Sequence, residues 1–155
     1  MIQRIQSIYL VLALIASVLM FIFPLAEFYG SSNFVLYAYQ LDFFDPDPSL
    51  TFNPYFLLPL MALLVLLVFL PIITIFSFKS RKRQLLLTKI SMGLTLVLLA
   101  SYFFGYIALL ENAVGNPPHY EFASFMPALT FLFLLLANRS ILKDEKLIKS
   151  MDRLR

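Results

Sequence analysis

The side chains best suited to chemistry in this sequence sit in two stretches. LAEFYGSSNFVLYAYQLDFFDPDPSLTFNP, at 25–54, carries Glu27, Asp42, Asp45 and Asp47; ENAVGNPPHYE, at 111–121, carries Glu111, Glu121 and the single histidine, His119. Carboxylates with an imidazole are a ligand set for a divalent cation, so Ca²⁺ or Zn²⁺ binding is the first chemistry to weigh. The spacing argues against it. The aspartates match no EF-hand loop, lacking its glycine and terminal glutamate, and prolines follow two of them. One histidine with scattered carboxylates falls short of a zinc set and cannot supply two axial imidazoles to each haem of a diheme bundle. The expectation is no metal and no cofactor.

Other reaction classes are excluded by what the sequence lacks. Without cysteine there is no thiol–disulfide relay, no thiolate nucleophile and no Cys-ligated metal, and acidic loops in an oxidising compartment would have no covalent staples. G-x-x-x-x-G-K-[ST], H-E-x-x-H and G-x-S-x-G do not occur. No enzymatic activity is expected.

The elements that must position these loops are set by hydropathy. Of the 155 residues 61% are hydrophobic and the mean hydropathy is +0.85, more than a soluble domain of this size can hide. A membrane-crossing helix needs about 20 apolar residues, and four charge-poor runs approach or exceed that length: about Ile5–Phe23, Tyr55–Phe78, Leu85–Leu110 and Phe122–Ala137. Arg4 before the first run imitates a signal peptide. The run is too long for a typical signal core, however, and Pro24 and Glu27 stand where a cleavage site needs small residues, so a retained anchor is expected.

The charges outside the runs divide cleanly. Arg4, the short loop bearing Lys79, Arg81, Lys82 and Arg83, Lys89 just inside the third run, and the tail bearing Arg139, Lys143, Lys146, Lys149, Arg153 and Arg155 account for all 12 basic residues. With four spans these segments share one side, which the positive-inside rule assigns to the cytoplasm. The loops at 24–54 and 111–121 hold only acids among their charges and are expected to face outward. FKSRKRQ, at 78–84, is read as a topogenic loop rather than a nucleic-acid site.

The tail, 138–155, has the pattern of an interfacial helix. Arg139, Lys143, Lys146, Lys149 and Arg153 recur every three or four residues beside an apolar face of Leu147, Ile148, Met151 and Leu154, with Asp144 a defect among the apolar positions. Membrane-surface anchoring is expected, with docking on a soluble partner or a second copy of the chain as the alternative. Within the runs, hydroxyls such as Ser17, Thr74, Ser91, Thr95, Ser101, Tyr102, Tyr106 and Thr130 are expected to bond their own or a neighbouring helix. Pro71 should kink the second run, while Ala13 with Ser17, and Ser101 with Gly105, form small-xxx-small packing pairs. The β-prone EFY and FVLYAYQL around GSSN suggest a short hairpin over one mouth of the bundle.

The opening MIQRIQSIYLVLA and closing LANRSILKDEKLIKSMDRLR, with four hydrophobic spans between them, resemble a family of small bacterial integral membrane proteins classed as a domain of unknown function. The resemblance implies four helices and an inner (cytoplasmic) membrane address, and supplies no activity or catalytic residues. The expected fold is thus an all-α, single-domain four-transmembrane-helix bundle with both termini cytoplasmic, a short β-hairpin and an amphipathic C-terminal helix. The expected role is structural or accessory, in contact with the bilayer and without nucleic acid; the alternative is a carrier whose interhelical groove, gated near Pro71, holds a lipid or other hydrophobic molecule.

Overall fold

A computed structural model describes residues 3–45, 50, 52–53, 55–77 and 80–152, with side chains described between Ile5 and Lys146. Asp47, Pro54, Lys79, Arg153, Leu154 and Arg155 lie outside the described residues, as do the side chains of Arg4, Leu147, Ile148, Lys149 and Met151.

The leucine-rich runs form helices α1 (Gln3–Ile22), α2 (Leu58–Phe76), α3 (Arg81–Ala100) and α5 (Met126–Asp152). From α3 the chain continues through a π-helical segment, Ser101–Ile107, into α4 (Ala108–Val114). Pro59 falls in the first turn of α2, where a missing N–H is not needed. Gly115 ends α4 at φ 86°, a left-handed position that strains any residue with a Cβ. Among the described residues, four segments are long and apolar enough to cross a membrane: Ile5–Ile22, Leu58–Phe76, Arg81–Val114 and Phe122–Lys146.

Each helix buries a stripe that advances by steps of three or four residues. On α1 the stripe includes Gln6, Leu10, Ala13, Ser17 and Met20; on α2 it is Leu60, Leu64, Leu67, Pro71 and Thr74. Gln84, Thr88, Ser91, Thr95 and Leu98 form it on α3, and Met126, Thr130, Leu134, Ala137, Ile141 and Asp144 on α5. This is the spacing of a coiled-coil seam, the usual packing of membrane helices. α1 packs on α2 and α5, and α3 on the same two, so the four close a ring. Ala13 joins Leu10, Leu134 and Ala137 in a small cluster between α1 and α5, as its small size predicts. Gly105 does not act this way: nothing lies within 4 Å of where its Cβ would stand. α2 runs unbroken through Pro71.

The π-helical segment re-phases the third span. Buried positions step from Leu98 to Tyr102 by four, then to Ile107 by five, before Leu110 and Val114 resume the three-four rhythm. One inserted residue therefore turns Tyr102 and Ile107 inward together.

The expected hairpin is present within a larger sheet. β1 (Ala26–Phe28) pairs antiparallel with β2 (Phe34–Leu36), β2 with β3 (Leu41–Phe43), and β1 with β4 (His119–Tyr120), giving the order β3-β2-β1-β4. The sheet rests on the bundle through Phe28 and Phe34, stacked 5.0 Å apart and fully buried. They belong to the main core with Met20, Leu60, Leu64, Tyr102 and Leu110. The sequence pattern separates the fourth span from an interfacial tail; here both belong to one helix, α5, of 27 residues.

Candidate functional site

The bundle has two chemically distinct ends. The sheet end holds the C-terminus of α1, the N-terminus of α2, the C-terminus of α4 and the start of α5, together with Glu27, Asp42, Asp45, Glu111, His119 and Glu121. The opposite, terminal end holds the start of α1 with Arg4, the start of α3 with Arg81, Lys82 and Arg83, and the last turns of α5 with Arg139, Lys143, Lys146 and Lys149. Lys89 is exposed two turns into α3. Arg81, Lys82 and Arg83 stand at a helix N-terminus, the positive end of the macrodipole, where each cation is unfavourable by about 0.3–1 kcal/mol. Helix stability therefore does not explain them.

The sheet end separates the residues that resembled a cation site. Asp42 is on β3 and His119 on β4, the two edges of the sheet; three strand spacings of roughly 4.8 Å put them about 14 Å apart. Asp42 accepts from Gln40 Nε2 at 2.7 Å, and Asp45 from the Asn33 N–H at 3.4 Å. His119 pairs in register with Glu27, and its ring meets the Tyr29 ring edge-on at 5.7 Å. The Tyr29 hydroxyl donates to Glu27 at 2.6 Å, which holds the phenol above its ordinary pKa of 10.0; desolvation and the Glu27 and Glu121 carboxylates push the same way. Among the described residues no group of three or more His, Cys, Asp or Glu could hold a metal ion.

Inside the bundle the hydroxyls bond backbone. Ser17, Thr74, Ser91 and Thr95 donate to the carbonyls of Ala13, Leu70, Leu87 and Ser91, four residues back, at 2.7–2.9 Å; Ser101 donates to the Leu98 carbonyl, three back, at 3.0 Å. Thr88, not singled out by the sequence reading, does so to Gln84. Ser17 also approaches Thr130 across the α1–α5 seam at 3.5 Å. Tyr106 donates to the Phe56 carbonyl at 3.1 Å. The Leu25 carbonyl is a junction: it accepts from the Glu121 N–H at 3.1 Å, from Tyr102 at 3.3 Å and from Ser124, while Tyr102 and Ser124 are 2.7 Å apart. The π-helical insertion makes this contact and latches the sheet to the bundle.

The terminal end holds a buried polar cluster that sequence reasoning missed. Asp144 is only 4% exposed. Its Oδ2 accepts from Gln6 Nε2 of α1, and its backbone carbonyl accepts from Arg81 of α3 at 3.2 Å. Gln84, beside Arg81, donates to the Thr74 carbonyl of α2 at 3.1 Å. Four helices are thus tied at one level. Asp144 Oδ1 and Asn138 Oδ1 are buried without a hydrogen-bond partner among the described residues. The available signal was the stripe itself: Asp144 follows Leu134, Ala137 and Ile141 at three-four spacing, so its apparent misplacement among apolar positions marks the inward face.

The family model described as a domain of unknown function (DUF4293) matches residues 2–154. No curated protein and no solved structure matches the chain.

Proposed function

We infer the role of this chain, which belongs to the DUF4293 family of domains of unknown function, from the distribution of its polar and apolar faces: it is a non-enzymatic structural or accessory integral membrane protein. One observation carries this reading. The α3 stripe that faces the interior is Gln84, Thr88, Ser91 and Thr95, whereas Leu86, Ile90, Leu96 and Val97 face outward. Ile8, Val11, Ile15 and Val18 on α1, and Leu66, Phe69 and Ile73 on α2, are likewise exposed. Water would favour the reverse arrangement; hydrocarbon favours this one, because hydroxyls bonded within the bundle leave no unsatisfied group toward lipid.

The threading that fits is both termini in the cytoplasm and the sheet on the outer side of a bacterial inner membrane, with the cations of the terminal end on the side that retains them. Their unfavourable position on the α3 dipole supports a topogenic role. The bilayer is the first partner, and the exposed faces suit a second membrane protein or another copy of the chain. A carrier would hold its cargo between the helices near Pro71, but Pro71 is buried in a stripe with Leu64, Leu67 and Thr74, and the hollow formed by Leu58, Met61, Ala62, Val65 and Leu66 opens on the outer surface of α2.

Extraction of the full chain into nanodiscs directly from its own membrane tests the reading. A stoichiometric second polypeptide or a self-oligomer is expected, with no transfer of labelled lipid between vesicles. Catalysed lipid transfer by a lone monomer would establish the carrier instead.

A further inference from the structure

The seam between α1 and α5 opens at the terminal end into a groove of about 470 Å³ whose lining changes character along its length. Tyr9 and Leu136 lie toward the middle of the bundle, Ile5 stands one turn nearer the end, and Arg139, Ser140, Lys143 and Asp144 form the outer half. Arg139 and Lys143 are exposed and one helical turn apart, so their charges converge on one spot. Asp144, beside them, is anchored through Oδ2 by Gln6, while its Oδ1 is buried with no partner among the described residues. An unpaired buried carboxylate oxygen is costly, and native sites supply a donor for it.

The groove thus offers, within one turn of helix, two cations for an anion, a carboxylate oxygen for an N–H donor, and an apolar trough below them. We propose that it binds the headgroup of an aminophospholipid, with the phosphate between Arg139 and Lys143, the primary ammonium on Asp144, and an acyl chain along Leu136 and Tyr9. Arg139 closely follows the apolar part of α5, which puts the polar half at headgroup depth. A primary ammonium has three N–H donors for the carboxylate; a choline group has none. The same phosphate and ammonium occur in free phosphoethanolamine, and the apolar trough is what selects the lipid. The inference rests on the membrane-spanning reading above.

The test uses the full-length chain in detergent, with thermal unfolding followed while phosphatidylethanolamine, phosphatidylcholine or phosphatidylglycerol of identical acyl chains is titrated in. Phosphatidylethanolamine should raise the Tm saturably and at the lowest lipid fraction, as a ligand of the native state does. Asp144→Asn keeps the side-chain shape and should weaken the apparent affinity for phosphatidylethanolamine by at least about tenfold, toward that for phosphatidylcholine, as expected for loss of a charge-assisted bond. Arg139→Gln/Lys143→Gln, on exposed positions that do not threaten folding, should weaken both phosphatidylethanolamine and phosphatidylglycerol. Equal responses to phosphatidylethanolamine and phosphatidylcholine would leave Asp144 to water and overturn the proposal. So would an unchanged affinity for phosphatidylethanolamine in the double variant, or stabilisation by soluble phosphoethanolamine equal to that by the lipid. Failure of the membrane reading itself is scored separately, as release of the chain from membranes by alkaline carbonate.

Discussion

Replacing Gly30 by alanine should loosen the sheet from the bundle. A Cβ at this position would stand 2.7 Å from Val114 Cγ1, 2.9 Å from the Val114 carbonyl oxygen and 3.1 Å from Asn116 Nδ2. The valine methyl can rotate away, but the carbonyl is fixed: it ends α4 and accepts from the Ser31 N–H at 3.5 Å and the Ser31 hydroxyl at 3.3 Å. Asn116 is held in turn by its bond to the Tyr29 carbonyl at 2.9 Å. Forcing a methyl into such a contact costs about 1–3 kcal/mol, and the stiffer unfolded chain returns about 0.4–1 kcal/mol. The net loss is therefore on the order of 1–2 kcal/mol. For a chain of this length that is a fall in Tm of about 2–4 °C per kcal/mol. Thermal unfolding of the purified protein, followed by tyrosine fluorescence, reads the change. Gly93→Ala is the control, since nothing lies within 4 Å of its Cβ position on α3; it should be neutral or stabilising by up to about 1 kcal/mol. If Gly30→Ala unfolds at the wild-type temperature, or both variants fall equally, the close approach of the sheet to α4 is wrong.

Tyr102→Phe should cost about 0.5–1.5 kcal/mol, because the Leu25 carbonyl keeps its bonds from Ser124 and Glu121 when the phenol is lost; Tyr102→Ala should cost about 3–5 kcal/mol by opening a cavity, and denaturation midpoints separate the two. The Tyr29 phenol should titrate above pH 10.0, followed by NMR of a ¹³C-labelled ring, and Glu27→Gln should bring it down. The sign follows from the raised value: the bond to Glu27 is intact below the ordinary pKa and is lost as pH rises through the folded one.

Much of this architecture is legible in the residues, and the parts that are not have physical reasons. The spans announce themselves because crossing hydrocarbon demands long apolar runs, and the β1–β2 hairpin because GSSN sits between two β-prone segments. β3 and β4 escape notice. β3 is hidden because the turn at Tyr37–Gln40 falls inside the β-prone FVLYAYQL, and β4, at two residues, exists only because β1 is there to pair with it. The π-helical insertion is silent because SYFFGYI is as apolar as its neighbours, and only the buried face reveals the five-residue step. α5 outruns its apolar segment because Asp144 and Gln6 keep the helix docked past the end of the hydrocarbon-like run. Asp144 itself is misread when charge is taken to mean exposure; its register with Ile141 and Ala137 is the better guide.

Threading can be measured cleanly because the sequence has no cysteine, so a single introduced thiol is the only one that reacts. Asn112, exposed at the sheet end, and Lys146, exposed at the terminal end, are suitable positions. In intact bacterial spheroplasts, a membrane-impermeant maleimide should label Asn112→Cys at once and Lys146→Cys only after the membrane is permeabilised. Labelling of Lys146→Cys from outside, with Asn112→Cys protected, would invert the proposed orientation; immediate labelling of both would remove the membrane barrier between the two ends of the bundle.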